Sequence, residues 1–229
     1  MKSQVVTQGI VLARTDFQEA DRILTMLTPD HGKVRLIAKG VRRPKSKLAG
    51  GIELFSVNDI TYLPSRSEIK TLISSRLLVN YSEIVKDIQR TMLGYDILKR
   101  LNRLMEDAAE PVYFELLQKT LAGLNDHDLD MSLLELWFTS QLGYISGHMP
   151  NLKTDTEGNR LEVTETYLFD FDNMAFRQQK EGAYNATHIK LMRLMYGADN
   201  PLTLKQVTDA SQYAADMLAL AKNIQLQNN

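Results

Sequence analysis

Cysteine is absent from the 229 residues. Disulfides, cysteine-held zinc, iron–sulfur clusters and thiol nucleophiles are excluded together, and a reducing compartment suits such a chain. No apolar run approaches the roughly 18 residues of a membrane span. Residues 1–16 hold no continuous hydrophobic stretch of the kind a secretory leader needs. The expectation is a soluble cytoplasmic protein without a membrane partner. Neither Gly-x-Gly-x-x-Gly nor a Gly-rich loop ending in Gly-Lys-Ser/Thr occurs, so a nucleotide cofactor has no cradle. Net charge is nearly absent as well: 27 Lys+Arg against 28 Asp+Glu leave −1, which on its own argues against a nucleic-acid binder. Apolar residues at 44% and charged residues at 24% are ordinary globular usage, enough for a sizeable core.

The average charge conceals a division. Residues 1–80 carry 13 bases and 7 acids, a net of +6, whereas residues 81–229 carry 14 and 21, a net of −7. Within the first part, residues 31–50 hold Lys33, Arg35, Lys39, Arg42, Arg43, Lys45 and Lys47 and no acid. Such asymmetry points to a nucleic-acid surface on the basic segment; a solvated charged loop is the plainer alternative.

The texture of the chain changes at the same place. Residues 5–79 read as short β-runs at roughly 10–12-residue spacing, as in small barrels: Val5–Leu12, Arg22–Leu27, Lys33–Lys39, Glu53–Leu63 and Ile69–Val79. Thr28-Pro29-Asp30-His31-Gly32 supplies a hairpin turn between the second and third. Five strands with a long loop after the third have the size of an OB-type barrel. From Tyr81 onward the period is helical. Ile84, Ile88, Met92, Tyr95, Leu98, Leu101 and Met105 predict one helix over Ser82–Glu106. Further helices are expected from Glu110-Pro111, over Asp130–Tyr144, Asn185–Tyr196 and Thr203–Ile224. Residues 146–183 break the pattern, with a small hairpin over Tyr167–Phe171 and Met174–Phe176. The reading is an α+β chain: an OB-fold β-barrel over residues 1–80, then a helical bundle over 81–229 with a loop-and-hairpin insertion at about 146–183.

Catalytic and metal-binding constellations are hard to find. His31, His127, His148 and His188 are scattered, with no i, i+4 pair. Asp170 and Asp172 alternate around Phe171 and would share a strand face, yet no third ligand lies nearby. The methionines and the Trp137-Phe138 pair fall mostly on helix stripes and are expected in the core. No triad converges, so the expectation is a protein that is not an enzyme, with no cofactor, no metal and no small-molecule substrate.

The basic stretch is more informative. Alternate strand residues share a face, so Lys33, Arg35, Ile37 and Lys39 are expected to point outward while Val34, Leu36 and Ala38 point into the barrel. A basic strand leading into a basic loop suits a phosphate backbone, without base-edge readout. Tyr62 and Phe55 are candidates for base stacking or, equally, for the core.

The order and spacing of Gly9-Ile10-Val11-Leu12, Glu19-Ala20-Asp21-Arg22-Ile23, Leu27-Thr28-Pro29, His31-Gly32-Lys33, Ala38-Lys39-Gly40 and Arg43-Pro44-Lys45-Ser46 closely resemble the N-terminal domain of the bacterial RecO recombination-mediator family, most strongly over residues 5–56. Leu134-Glu135-Leu136 and Leu142-Gly143-Tyr144 resemble the family's helix entering its insertion. The resemblance implies a DNA repair and recombination protein, cytoplasmic and nucleoid-associated. It implies binding to single- and double-stranded DNA, annealing of complementary strands, partnership with RecR, and help in replacing single-strand-binding protein with RecA. It places DNA-contacting bases at Arg35 and Lys39. Many members hold zinc through four cysteines in the insertion; with no cysteine here, packing through Tyr167, Phe169 and Phe171 is expected instead. The family also holds the acidic, phenylalanine-ending C-terminal tail of single-strand-binding protein. Lys99, Arg100, Arg103 and Lys119 are candidates for that contact, with Leu101, Leu104 and Met105 as pocket wall; a solvated helix face is the alternative. An RNA-binding OB module is the second function class the basic loop would serve. An enzyme around Asp170 and Asp172 is a distant third.

Overall fold

The computed structural model describes residues 4–46, 48–105, 110–207 and 211–227. The chain divides into two compact units, residues 1–125 and 126–229.

The first unit is built on a closed barrel of β1 (Val5–Phe17), β2 (Asp21–Thr28), β3 (Gly32–Ala38), β4 (Ser56–Leu63) and β5 (Ile69–Asn80). The strand order is β1-β2-β3-β5-β4, with β1 closing on β4 and a parallel β3–β5 pair. This is the OB arrangement read from the strand spacing. Alternation fills the interior as expected: Val34, Leu36 and Ala38 from β3 join Val11, Leu24, Met26, Ile60, Tyr62 and Leu72 in one core. Tyr62 and Phe55 are 3% and 2% exposed, so both belong to the core and neither offers a stacking face.

Two helices complete this unit, α1 (Ile88–Leu104) and α2 (Pro111–Leu124). A short 3-10 turn over Ile84–Lys86 precedes α1, and the Asp87 carboxylate caps it by accepting from Gln89 and Arg90 main-chain N–H groups at 2.8 and 3.0 Å. The predicted apolar stripe of α1 is half misplaced. Ile88, Met92 and Tyr95 are 76%, 66% and 50% exposed, whereas Arg90, Gly94, Ile97, Leu98 and Leu101 are buried. Two contacts set that rotation. Gly94 lies under the Phe55 ring so closely that a Cβ would stand 2.7 Å from it. Arg90 donates to the Leu124 carbonyl at 2.9 Å, capping the end of α2. The compact unit therefore runs through α2, past the change of texture at residue 80, because α1 packs on the barrel through Phe55.

The second unit holds α3 (Met131–Ile145), α4 (Ala186–Gly197) and α5 (Ser211–Gln227), with a 3-10 segment at Pro201–Gln206. The single helix expected over Thr203–Ile224 is thus two pieces, and residues 208–210 lie outside the described ones. Trp137 donates its indole N–H to the Ala198 carbonyl at 2.7 Å, and Gln141 donates to the Met195 carbonyl at 2.7 Å, so α3 satisfies the end of α4. Between α3 and α4 sits a three-stranded sheet of β6 (Asn151–Asp155), β7 (Tyr167–Asp170) and β8 (Ala175–Gln178), in the order β6-β8-β7. The hairpin was expected; β6, paired in parallel with β8, was not.

Edge-to-face aromatic contacts run through this insertion: Tyr167 and Phe169 on Phe176, Phe171 on Phe169, Phe176 on Tyr184, Tyr184 on His188, and His188 on Tyr213, with centroids 4.8–6.3 Å apart. Such pairs add about 0.5–1.5 kcal/mol each beyond the area they bury. Tyr167, Phe169 and Phe171 take part as expected, with the fully buried Phe176 at the centre.

Candidate nucleic-acid interface

The seven bases of residues 33–47 do not behave alike. On β3, Lys33, Arg35 and Ile37 do face away from the buried Val34, Leu36 and Ala38. Lys33 is nevertheless committed elsewhere. Its ammonium donates to the Asn102 carbonyl at 3.2 Å and to that of Met105, satisfying acceptors that α1 leaves open at its C-terminus. Arg35 is paired with Glu68 on the β4–β5 loop, so a phosphate there must displace a carboxylate.

Lys39 follows β3 and is exposed, with no ion pair or side-chain hydrogen bond among the described residues. Gly40, at φ +64°, then turns the chain. Its N–H donates to the Asp21 carboxylate at 2.7 Å, and the Arg42 N–H donates to the Ala20 carbonyl at 2.9 Å. The basic loop is thereby pinned to the β1–β2 turn. Arg42 also approaches the Asp16 carboxylate at 3.6 Å, while Arg22 bonds that carboxylate at 2.8 Å. Arg43 and Lys45 are exposed, without an ion pair among the described residues. Lys47 lies outside the described residues. The exposed bases of this stretch that remain candidates for a polyanion are therefore Lys39, Arg43 and Lys45, with Arg42 shared with Asp16.

The Arg22 hydrogen bond, opposed by desolvation and assisted by the charges of Arg42, Arg22 and Arg14, holds the Asp16 carboxyl below its usual 3.8. A carboxyl lowered in the folded state favours folding above its unfolded pKa, and that contribution disappears as pH falls through the lowered value. The clamp between hairpin and loop is intact at neutral pH.

The stretch missed one base. Arg66, exposed on the β4–β5 loop with no partner among the described residues, stands outside the acid-free run because Glu68 follows it. OB barrels bind ligands on the face of strands 2 and 3 flanked by the 1–2 and 4–5 loops, and that topology would have found it.

The other candidates are placed differently. Lys99 rims a groove of about 420 Å³ lined by Leu12, Leu54, Tyr95 and Leu98, and Arg14, paired with Glu53, also lines it. Arg100 stands 4.0 Å from Asp96, Arg103 is exposed near the end of α1, and Lys119 lies half-buried on α2. The proposed pocket wall does not form as expected: Leu101 and Met105 are buried at 0% and 5% exposure, leaving Leu104 accessible. Asp170 ends β7 and bonds the turn at Asn173, while Asp172 is in that turn; the two do not share a strand face. No group of three or more His, Asp or Glu able to hold a metal gathers among the described residues. No helix among them is long and apolar enough to cross a membrane.

Replacing Lys33 by Met, which keeps the apolar stem, separates its two roles. The expected result is a loss of about 1–2 kcal/mol of stability, since hydrogen bonds from a charged donor are worth roughly 1.5–3 kcal/mol and water replaces part of the loss. DNA affinity and its salt dependence should stay at wild-type values. Paired urea and DNA titrations check this.

Residues 1–81 match the family described as recombination protein O N terminal. A protein of Dehalococcoides mccartyi named DNA repair protein RecO is 32% identical over 148 residues, 64% of this chain and 58% of that one. Its namesake in Roseiflexus sp. is 34% identical over 142 residues, 60% and 50% of the two chains. In Halalkalibacterium halodurans a protein of the same name is 29% identical over 214 residues, covering 89% of this chain and 84% of its own length. The matched region thus spans 58% and 50% of the length of the first two relatives.

Proposed function

We propose that the chain, which is similar to the RecO family over residues 1–81 and to proteins named DNA repair protein RecO over a longer span, is a DNA repair and recombination protein that binds DNA through its barrel without reading base sequence. The observation carrying this reading is the set of exposed bases Lys39, Arg42, Arg43 and Lys45, pinned against the β1–β2 turn in a stretch that holds no acid. Cations on a fixed loop contact phosphates, whose spacing is the same for every sequence. Single and double strands both present that backbone. Annealing follows naturally: a surface that neutralises phosphate and leaves base edges free lets two bound strands pair.

The finer parts of the reading concern partners. RecR is expected to raise annealing, with RecA loading downstream. For the acidic, phenylalanine-ending tail of single-strand-binding protein, the supporting feature is the groove beside Lys99, where Leu12, Leu54 and Leu98 supply apolar wall, while Arg14 is already paired with Glu53.

The deciding experiment is strand annealing by the purified chain, with and without RecR, alongside affinities for matched DNA and RNA oligomers. Annealing stimulated by RecR, with DNA bound at least as tightly as RNA, is the expected outcome. Tight RNA binding without annealing would favour an RNA-binding module instead. A tail peptide should bind wild-type protein more tightly than Lys99→Glu; equal affinities would move the tail to another surface.

A further inference from the structure

Residues 4–80 contain three Phe, Tyr or Trp side chains, and the barrel encloses two of them. Phe55 and Tyr62 are core, whereas Phe17, near the tip of the β1–β2 hairpin, is 39% exposed. Register fixes which way Phe17 faces. Directly opposed residues of antiparallel strands share a face. Phe17 pairs with Asp21, Thr15 with Ile23, Ile23 with Ile37, and Thr25 with Arg35. Leu24, Leu36 and Ala38 fill the interior, so Ile23, Arg35 and Ile37 lie on the outer face. Phe17 belongs to that face, and Lys39 continues it one residue past β3.

The tip is also held in place. Asp16 is bonded by Arg22 and approached by Arg42, and Asp21 accepts from the Gly40 N–H. Gln18 makes the turn at φ +51°. An aromatic ring presented on fixed backbone loses little side-chain freedom when a base settles on it. The neighbouring charges sort the two parts of a nucleotide. Glu19 is exposed in the turn and Asp21 stands opposite the ring, which disfavours a phosphate at the tip and leaves an uncharged base face unopposed. Lys39, two strand spacings away and so roughly 10 Å off, is where the phosphate finds a cation.

We infer that Phe17 is a base-stacking platform of a single-strand site on the outer face of β1–β3, with Lys39 and Arg43 holding the flanking phosphates. This rests on the reading of the barrel as a DNA surface, and it adds a preference for unpaired bases that cations alone do not give, since stacked bases inside a duplex cannot reach the ring.

The test measures fluorescence anisotropy of the full chain with a labelled oligothymidylate, an abasic strand of equal length and a duplex. Phe17→Leu should weaken oligothymidylate binding about five- to hundredfold, the range of one base–aromatic stack. Abasic and duplex affinities should not change, and neither should the salt slope. Phe17→Tyr should retain wild-type affinity. Lys39→Glu with Arg43→Glu should weaken all three ligands. If that double variant weakens binding while Phe17→Leu matches wild type on oligothymidylate, the stacking platform is overturned and the DNA surface stands. If neither variant differs from wild type on any ligand, platform and DNA surface fall together.

Discussion

Reversing Lys39, Arg42 and Arg43 together to glutamate should weaken binding to single strands by at least about fiftyfold at 0.15 M salt. Each phosphate contact on a single strand releases about 0.7 counterions, worth roughly fourfold at that salt concentration. Three lost contacts multiply to about sixtyfold before any repulsion from the new carboxylates. The loss should be equal across homopolymers and mixed sequences, because no side chain in the set is placed to read base edges. Arg35→Glu should cost less than Lys39→Glu, since Arg35 already shares its charge with Glu68 whereas Lys39 has no partner among the described residues. All these positions are on the surface, so the variants should fold, and circular dichroism checks that they do.

Phe176→Ala should lower the stability of the second unit by about 3–5 kcal/mol, the usual cost of emptying a buried phenylalanine site. Phe176 is fully buried and touches Tyr167, Phe169 and Tyr184, so its removal strips the centre from the ring network. Phe171→Ala should cost far less, since that side chain is half-exposed and its one ring contact among the described residues is Phe169. Trp137, the sole tryptophan, is buried in the same unit, and its fluorescence during urea unfolding reports the difference. Chelator should leave the wild-type unfolding midpoint unchanged. A stoichiometric metal whose removal lowers the midpoint, together with a mild Phe176→Ala, would mean that something other than ring packing holds the insertion.

The barrel was legible because its strands alternate cleanly: Val34, Leu36 and Ala38 against Lys33, Arg35 and Ile37 set both register and face. The strand β6 was not, because Asn-Leu-Lys-Thr-Asp has little β-propensity of its own and exists through its parallel pairing with β8 some twenty residues on. Helix α1 was found, but its buried face was misjudged. Counting apolar residues selects Ile88, Met92 and Tyr95, while packing selected Gly94 for its missing Cβ and Arg90 for its reach to Leu124. Within the basic stretch, charge alone marked Lys39, Arg42, Arg43 and Lys45 alike with Lys33, because the acceptors that occupy Lys33 lie about seventy residues away. Phe17 escaped because the first strand was ended at Leu12, five residues short of the hairpin tip.

Salt dependence of single-strand binding, measured on wild-type protein and the Lys39, Arg42, Arg43 triple glutamate variant, reaches the proposed DNA surface most directly. Contacts from Lys39, Arg42, Arg43 and Lys45, with Arg66 as a fifth, give a slope of log affinity against log salt between about −2.8 and −3.5. The variant, left with Lys45 and Arg66, should fall to about −1.4 or shallower. A folded variant that binds as tightly as wild type with an unchanged slope would place DNA binding on some other surface of the chain.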